Sequence, residues 1–177
     1  MHYILIIYNI NDICNRMNVY IETHGCKLNI ADSQKISKDF LSSGFNISED
    51  INKSEIFVLN SCTVTKSADK KARNRLRSIK KNHPNIHLIA TGCYPQRNKE
   101  EVLELGIVDT IIKNEEKDNF IKIISEKFPV NNKVENNYGV ESILLGRTRA
   151  SIAIQKGCNQ ICSYCIVPKV RGPENSI

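Results

Sequence analysis

The sequence predicts an α/β protein built on a small parallel, doubly wound sheet of the flavodoxin or Rossmann kind. Two observations lead there. Short β-branched or apolar runs alternate with amphipathic helical stretches, the pattern of a βα repeat. The 177 residues, 41% hydrophobic and 25% charged with a mean hydropathy of −0.32, describe a globular chain that is neither disordered nor membrane-spanning. That length suits one domain, or one domain and part of a second.

Residues 1–16 carry no clear pattern and read as an amino-terminal extension. Its apolar run, Ile4 to Tyr8, has no basic region before it and no small-residue cleavage site after it, which argues against secretion and for the cytoplasm. The first domain is expected over 17–129. Its strands are Val19-Tyr20-Ile21, Ile56-Phe57-Val58-Leu59, Ile86 to Ala90 and Val108 to Ile112. Helices are predicted over 30–43, with Ile36, Phe40 and Leu41 inward, over 65–81, with Ala68, Ala72, Leu76 and Ile79 inward, and over 96–105. A last helix runs from Glu115 to Phe128, with an acidic first turn that suits the helix dipole, and Pro129 ends it. The Asn-rich stretch 130–146 reads as a linker. From 147 to 177 a second unit begins with the strand Ser151 to Gln155. It is too short for a core of its own, so it is either part of a larger domain or docks on the first domain or on another chain.

Seven cysteines, an odd number, do not pair off, and in a reducing compartment such a group reads as metal-binding or catalytic. Cys14 falls in the extension and reads as a spare thiol. Cys158, Cys162 and Cys165 form a CxxxCxxC loop directly after the strand. Three thiolates within eight residues wrap one metal centre, and 130–177 offers no fourth cysteine or histidine for structural zinc, unless a partner chain supplied one. A 4Fe-4S cube held by three cysteines, with one iron open, fits the spacing better.

The other trio is dispersed. Cys26, Cys62 and Cys93 are separated by 36 and 31 residues, each about one βα unit, and each follows a predicted strand within a few residues. The carboxyl ends of parallel strands lie on one edge, where ligands bind, so these thiols would converge there. Buried cysteines near strand ends are common in their own right, and that reading stands beside the cluster reading. The fourth strand, ending in Lys113-Asn114, lacks a cysteine.

Net charge is +6, and residues 61–100 hold ten basic side chains against two acidic ones. Lys66, Lys70, Lys71, Arg73, Arg75 and Arg77 crowd the helix after Cys62, a surface that phosphates favour. An amphipathic helix with that inward stripe would also turn its charges outward merely to be solvated.

The stretches Glu22 to Asn29, Asn60 to Thr65 and Ala90 to Cys93, with Ile154 to Pro168 and Arg171-Gly172-Pro173, closely resemble motifs of the radical S-adenosylmethionine methylthiotransferases. The resemblance runs from about residue 18 to 173 and implies two 4Fe-4S clusters. Cys158, Cys162 and Cys165 would hold the one that binds and cleaves S-adenosylmethionine. Cys26, Cys62 and Cys93 would hold an auxiliary cluster that carries sulfur. Tyr164 is similar to the family residue that lies against the adenine, a place where a packing aromatic also fits. The resemblance further implies a tRNA substrate and an electron donor. Cys62-Thr-Val-Thr65 with Ala68 to Arg73, and Thr148, are most similar to the branch acting on threonylcarbamoyl-adenosine 37, ahead of the isopentenyl-adenosine and ribosomal-protein branches. The resemblance makes 147–177 the first strand and cysteine loop of an incomplete radical S-adenosylmethionine barrel; Glu174 to Ile177 depart from the family's arginine-serine pair, so a truncated form, even a non-catalytic iron-sulfur or RNA-binding module lacking the barrel, belongs among the expectations.

Overall fold

The computed structural model describes residues 16–129 and 143–176. Five parallel strands form one sheet in the order β2-β1-β3-β4-β5, with β1 at Asn18–Thr23, β2 at Asn46–Ile47, β3 at Ile56–Ser61, β4 at His87–Gly92 and β5 at Thr110–Ile112. This is the doubly wound flavodoxin-type order, whose switch point lies where connections diverge between β1 and β3.

Helices cover both faces, and the side-chain alternation of the strands explains why. In β3, Ile56 and Val58 point to one face and Phe57 and Leu59 to the other, and the whole strand is buried. The first face packs on α1 (Lys27–Ser42) and α5 (Phe120–Lys127) through Ile36, Phe40, Phe120 and Ile124. The second packs on α2 (Lys66–Asn82) and α4 (Lys99–Glu104) through Ala72, Leu76, Ile79 and Val102. Thr65 caps α2, its hydroxyl accepting from the Ala68 amide at 3.1 Å. Asp69 in the first turn of α2 and Lys80 and Lys81 in its last suit the helix dipole.

The four predicted strands are present within two residues. β2 is an addition, too short to show a period, and it pairs Asn46 and Ile47 with Asn18 and Val19. The helix predicted over 96–105 is two, α3 (Cys93–Arg97) and α4, broken at Asn98. The helix expected from Glu115 begins as a 3-10 turn, Asn114–Asn119, before α5. The predicted strand at 151–155 shrinks to β6 (Gln155–Lys156), paired antiparallel with β7 (Asn175–Ser176). Ile152 and Ile154 are 84% and 74% exposed, and no strand among the described residues lies beside them to pair with. A short helix, α6 (Val167–Arg171), follows the cysteine loop with Pro168 in its first turn. Cys14, the extension up to residue 15 and most of the expected linker lie outside the described residues.

Candidate metal centre

Each cysteine of the dispersed trio stands where a strand hands over to a helix. Cys26 is the N-cap of α1, Cys62 directly follows β3, and Cys93 opens α3. β1, β3 and β4 are consecutive parallel neighbours, so the three residues share the carboxyl edge of the sheet. Cys62 and Cys93 are buried, while Cys26 is exposed. Burial pushes the Cys62 thiol up, and the neighbouring Cys93 and Cys26 push it further in the same direction.

Gly25 makes the approach of the first two possible. Its φ is +121°, and a Cβ there would stand 2.6 Å from the Cys62 Cβ. The Cys26 thiol faces Asn29 Oδ1 at 3.9 Å, and Asn114 Nδ2 approaches the Cys93 sulfur at 3.7 Å. Around these sulfurs the edge is polar and closed: Asn29, Ser33, Asn60, Ser61, Thr63 and Thr91 are all buried.

A buried charge triad lies beneath. Asp32, on the inner face of α1, accepts from Lys117 Nζ at 2.7 Å and from Arg171 at 2.6 Å, and all three side chains are 6% or 7% exposed. Burial alone would raise the Asp32 carboxyl, but Lys117 and Arg171 override it and hold it below the usual carboxylate range. Burial and the nearby Arg171 push the Lys117 ammonium down, against the pull of Asp32. Lys117 also donates to Asn60 Oδ1 at 3.3 Å. Arg171 donates to Asn29 Oδ1 as well, and against burial the Asp32 carboxylate and Cys93 hold its guanidinium pKa up.

The second trio lies on a surface loop. Cys162 is exposed, Cys158 and Cys165 are partly covered, and the Cys165 amide donates to the Cys162 carbonyl at 3.1 Å. Gly157, at φ +70°, presses the loop onto the Gly172–Pro173 backbone, where a Cβ would meet the Pro173 carbonyl oxygen at 1.9 Å. Tyr164 and Ile161 stand out from the loop, 90% and 101% exposed. The loop segment is docked on the first domain. Asn114 Nδ2 donates to the Val170 carbonyl at 2.7 Å, Val170 is buried, and the Gln34 side chain pairs with the backbone at Arg149 and Ser151.

Among the described residues no three His, Cys, Asp or Glu side chains gather around a single ion. A 4Fe-4S cube asks less of three thiolates, because each binds its own iron. At the first trio the donors fit such a group: three cysteines on one edge, the Lys117 and Arg171 cations on Asp32, and a buried Thr63 hydroxyl and Asn114 Oδ1 with no partner among the described residues.

The basic residues divide. Arg75 is clamped by Glu22, with three contacts of 2.7 to 3.0 Å, and lies over the Phe57 ring. Arg73 pairs with Glu101 at 2.6 Å and covers Tyr94. Lys66, Lys70, Lys71 and Arg77 are exposed and make no ion pair among the described residues, so they are the charges α2 presents outward.

Sequence reasoning passed over Asp32, Lys117, Asn114 and the role of Arg171. The signal for Asp32 was present: it stands on the stripe Asn29, Asp32, Ile36, Phe40, where a carboxylate faces inward and so calls for a cation.

Fold and site together define a doubly wound α/β domain that brings three cysteines to one sheet edge and docks a second cysteine loop beside them. Comparison with known proteins gives the family. The profile of the uncharacterized protein family UPF0004 matches residues 18–113. Relatives include the threonylcarbamoyladenosine tRNA methylthiotransferases MtaB of Rickettsia prowazekii (38% identical, covering 92% of this chain and 38% of the relative) and Aquifex aeolicus (29%, covering 91% and 42%). The tRNA-2-methylthio-N(6)-dimethylallyladenosine synthase of Methylacidiphilum infernorum is 30% identical over 90% of this chain and 38% of its own length. The chain belongs to the methylthiotransferase family through its UPF0004 domain, and it spans less than half the length of these relatives.

Proposed function

We propose that this chain is the cluster-bearing part of a tRNA methylthiotransferase that inserts a methylthio group at C2 of threonylcarbamoyl-adenosine 37, working in the cytoplasm with an external electron donor. The observation that carries this reading is the placement of Cys26, Cys62 and Cys93 along one sheet edge, with the segment of the Cys158, Cys162 and Cys165 loop docked on the same domain. When bound, the two 4Fe-4S clusters and S-adenosylmethionine supply radical formation at the loop and sulfur at the edge. The chain's own residues do the placing. The first trio holds the auxiliary cluster and the second holds the cluster that takes S-adenosylmethionine. Gly25 lets the first two thiols approach, and Lys117 and Arg171 set positive charge at Asp32 beside the edge. Tyr164, projecting beside Cys165, offers an aromatic face to an adenine. Lys66, Lys70, Lys71 and Arg77 offer charge to tRNA phosphates.

The wording Cys62-Thr-Val-Thr65 and the 38% identity of the Rickettsia relative support the threonylcarbamoyl-adenosine branch; the Aquifex relative of that branch, at 29%, is no nearer than the dimethylallyladenosine synthase at 30%. The test is anaerobic reconstitution with iron and sulfide. Alanine at all three positions of either trio is expected to remove about half the iron and half the charge-transfer absorption, because each trio would hold its own cube. Iron lost together from both trios, or stoichiometric zinc with no such absorption, would overturn the two-cluster reading.

A further inference from the structure

We infer that Arg171 is a positioning residue that fastens the segment carrying the second cysteine trio onto the domain of the first and lays a permanent positive charge beside the cysteine edge. The inference rests on the two-cluster reading for its second half only. Arg171 comes from α6, six residues after Cys165, yet its side chain is 6% exposed and ends in the first domain. There one arm donates to Asp32 at 2.6 Å and the other to Asn29 Oδ1, the same atom that faces the Cys26 thiol. Asn114 ties the neighbouring residue of α6 to Cys93: its Nδ2 donates to the Val170 carbonyl at 2.7 Å and lies 3.7 Å from the Cys93 sulfur.

The surroundings account for the choice of arginine. Asp32 already has Lys117 at 2.7 Å, so its charge is met without Arg171, and a second cation on one carboxylate leaves a surplus of positive charge. The titratable groups around this point are Asp32 from α1, Lys117, Asp118 and Glu115 from the 3-10 turn, Lys156, Lys169 and Cys93; Asp118 is itself paired with Lys35 at 2.5 Å. The surplus therefore lies toward the sulfurs, where three thiolates and their cluster would carry negative charge. A guanidinium presents a planar fork that spans Asp32 and Asn29 at once, whereas a lysine would keep the charge but lose the fork. A polar cavity of about 400 Å³, lined by Asp32, Glu115, Lys117, Asp118, Lys169 and Arg171 among others, adjoins the fork.

The cluster test uses the whole chain with Cys158, Cys162 and Cys165 replaced by alanine, so that all iron-sulfur signal belongs to the first trio. After reconstitution, midpoint potential and electron paramagnetic resonance spectrum are read during dithionite titration for Arg171, Arg171→Gln and Arg171→Lys. Loss of a cation beside the cluster disfavours the reduced form, so Arg171→Gln is expected to lower the potential and alter the spectrum, and Arg171→Lys to restore the potential. The docking test uses the metal-free chain with all cysteines present. Trypsin cleavage at Lys156 and Lys169 is expected to accelerate several-fold in Arg171→Gln. An unchanged potential, or a fall as large in Arg171→Lys as in Arg171→Gln, overturns the charge role, and unchanged cleavage overturns the fastening role. Should Arg171→Gln misfold, Arg171→Met, which keeps the apolar stem and drops the charge and the fork while Lys117 still meets Asp32, carries the same readouts. A chain with Arg171 intact that takes up no iron defeats the two-cluster reading, and cleavage then still decides whether Arg171 holds the segment.

Discussion

Gly25 shows how much of the edge depends on the absence of a side chain, since its φ of +121° and its 2.6 Å virtual contact with Cys62 are two separate penalties for any other residue. Alanine there is expected to cost roughly 1–3 kcal/mol from backbone strain alone, and to push Cys62 away from Cys26. A fall in melting temperature of the metal-free chain measures the first effect. Loss of first-trio iron with second-trio iron retained measures the second. Alanine that leaves both unchanged would mean that the loop yields freely and that the close approach does not matter. Asp32 is the contrasting case at this scale. Its role comes from partners 85 and 139 residues away, and no local pattern in the sequence names them.

At the scale of elements, α2 carries the prediction about tRNA. Its inner stripe of Ala72, Leu76 and Ile79 packs on the sheet, and Arg73 and Arg75 are tied to Glu101 and Glu22. Reversing Lys70, Lys71 and Arg77 to glutamate should therefore weaken tRNA binding and lower its salt slope by about one for each phosphate no longer neutralised. Stability should change little, because all three side chains are exposed. Filter binding across a salt series reads this, and an unaltered affinity would free α2 from any part in RNA recognition. The strands and the long helices were legible in the sequence because period and apolar runs report burial directly. Three other features were not. β2 has two residues, too few for any period. The break at Asn98 depends on how α3 and α4 pack. The 151–155 run is apolar and β-branched, yet β-propensity without a neighbouring strand makes no ladder.

For the whole molecule, the sulfur positions were legible at the level of which strand precedes which cysteine, because a parallel sheet sends every strand's carboxyl end to the same edge. What joins the two trios was not legible. It is made of pairs between distant segments: Asp32 with Arg171, Gln34 with Ser151, Asn114 with Val170. The result is a gradient of access across one molecule. Cys162 and Cys26 face solvent, Cys158 and Cys165 are half covered, and Cys62 and Cys93 are each 8% exposed. An alkylating reagent such as iodoacetamide, added to the metal-free chain, should therefore mark the sulfurs in that sequence, with peptide mass spectrometry giving the order. The innermost pair would stay unmarked until the fold opens, which makes the slow phase of labelling a clock for the opening of the sheet edge itself.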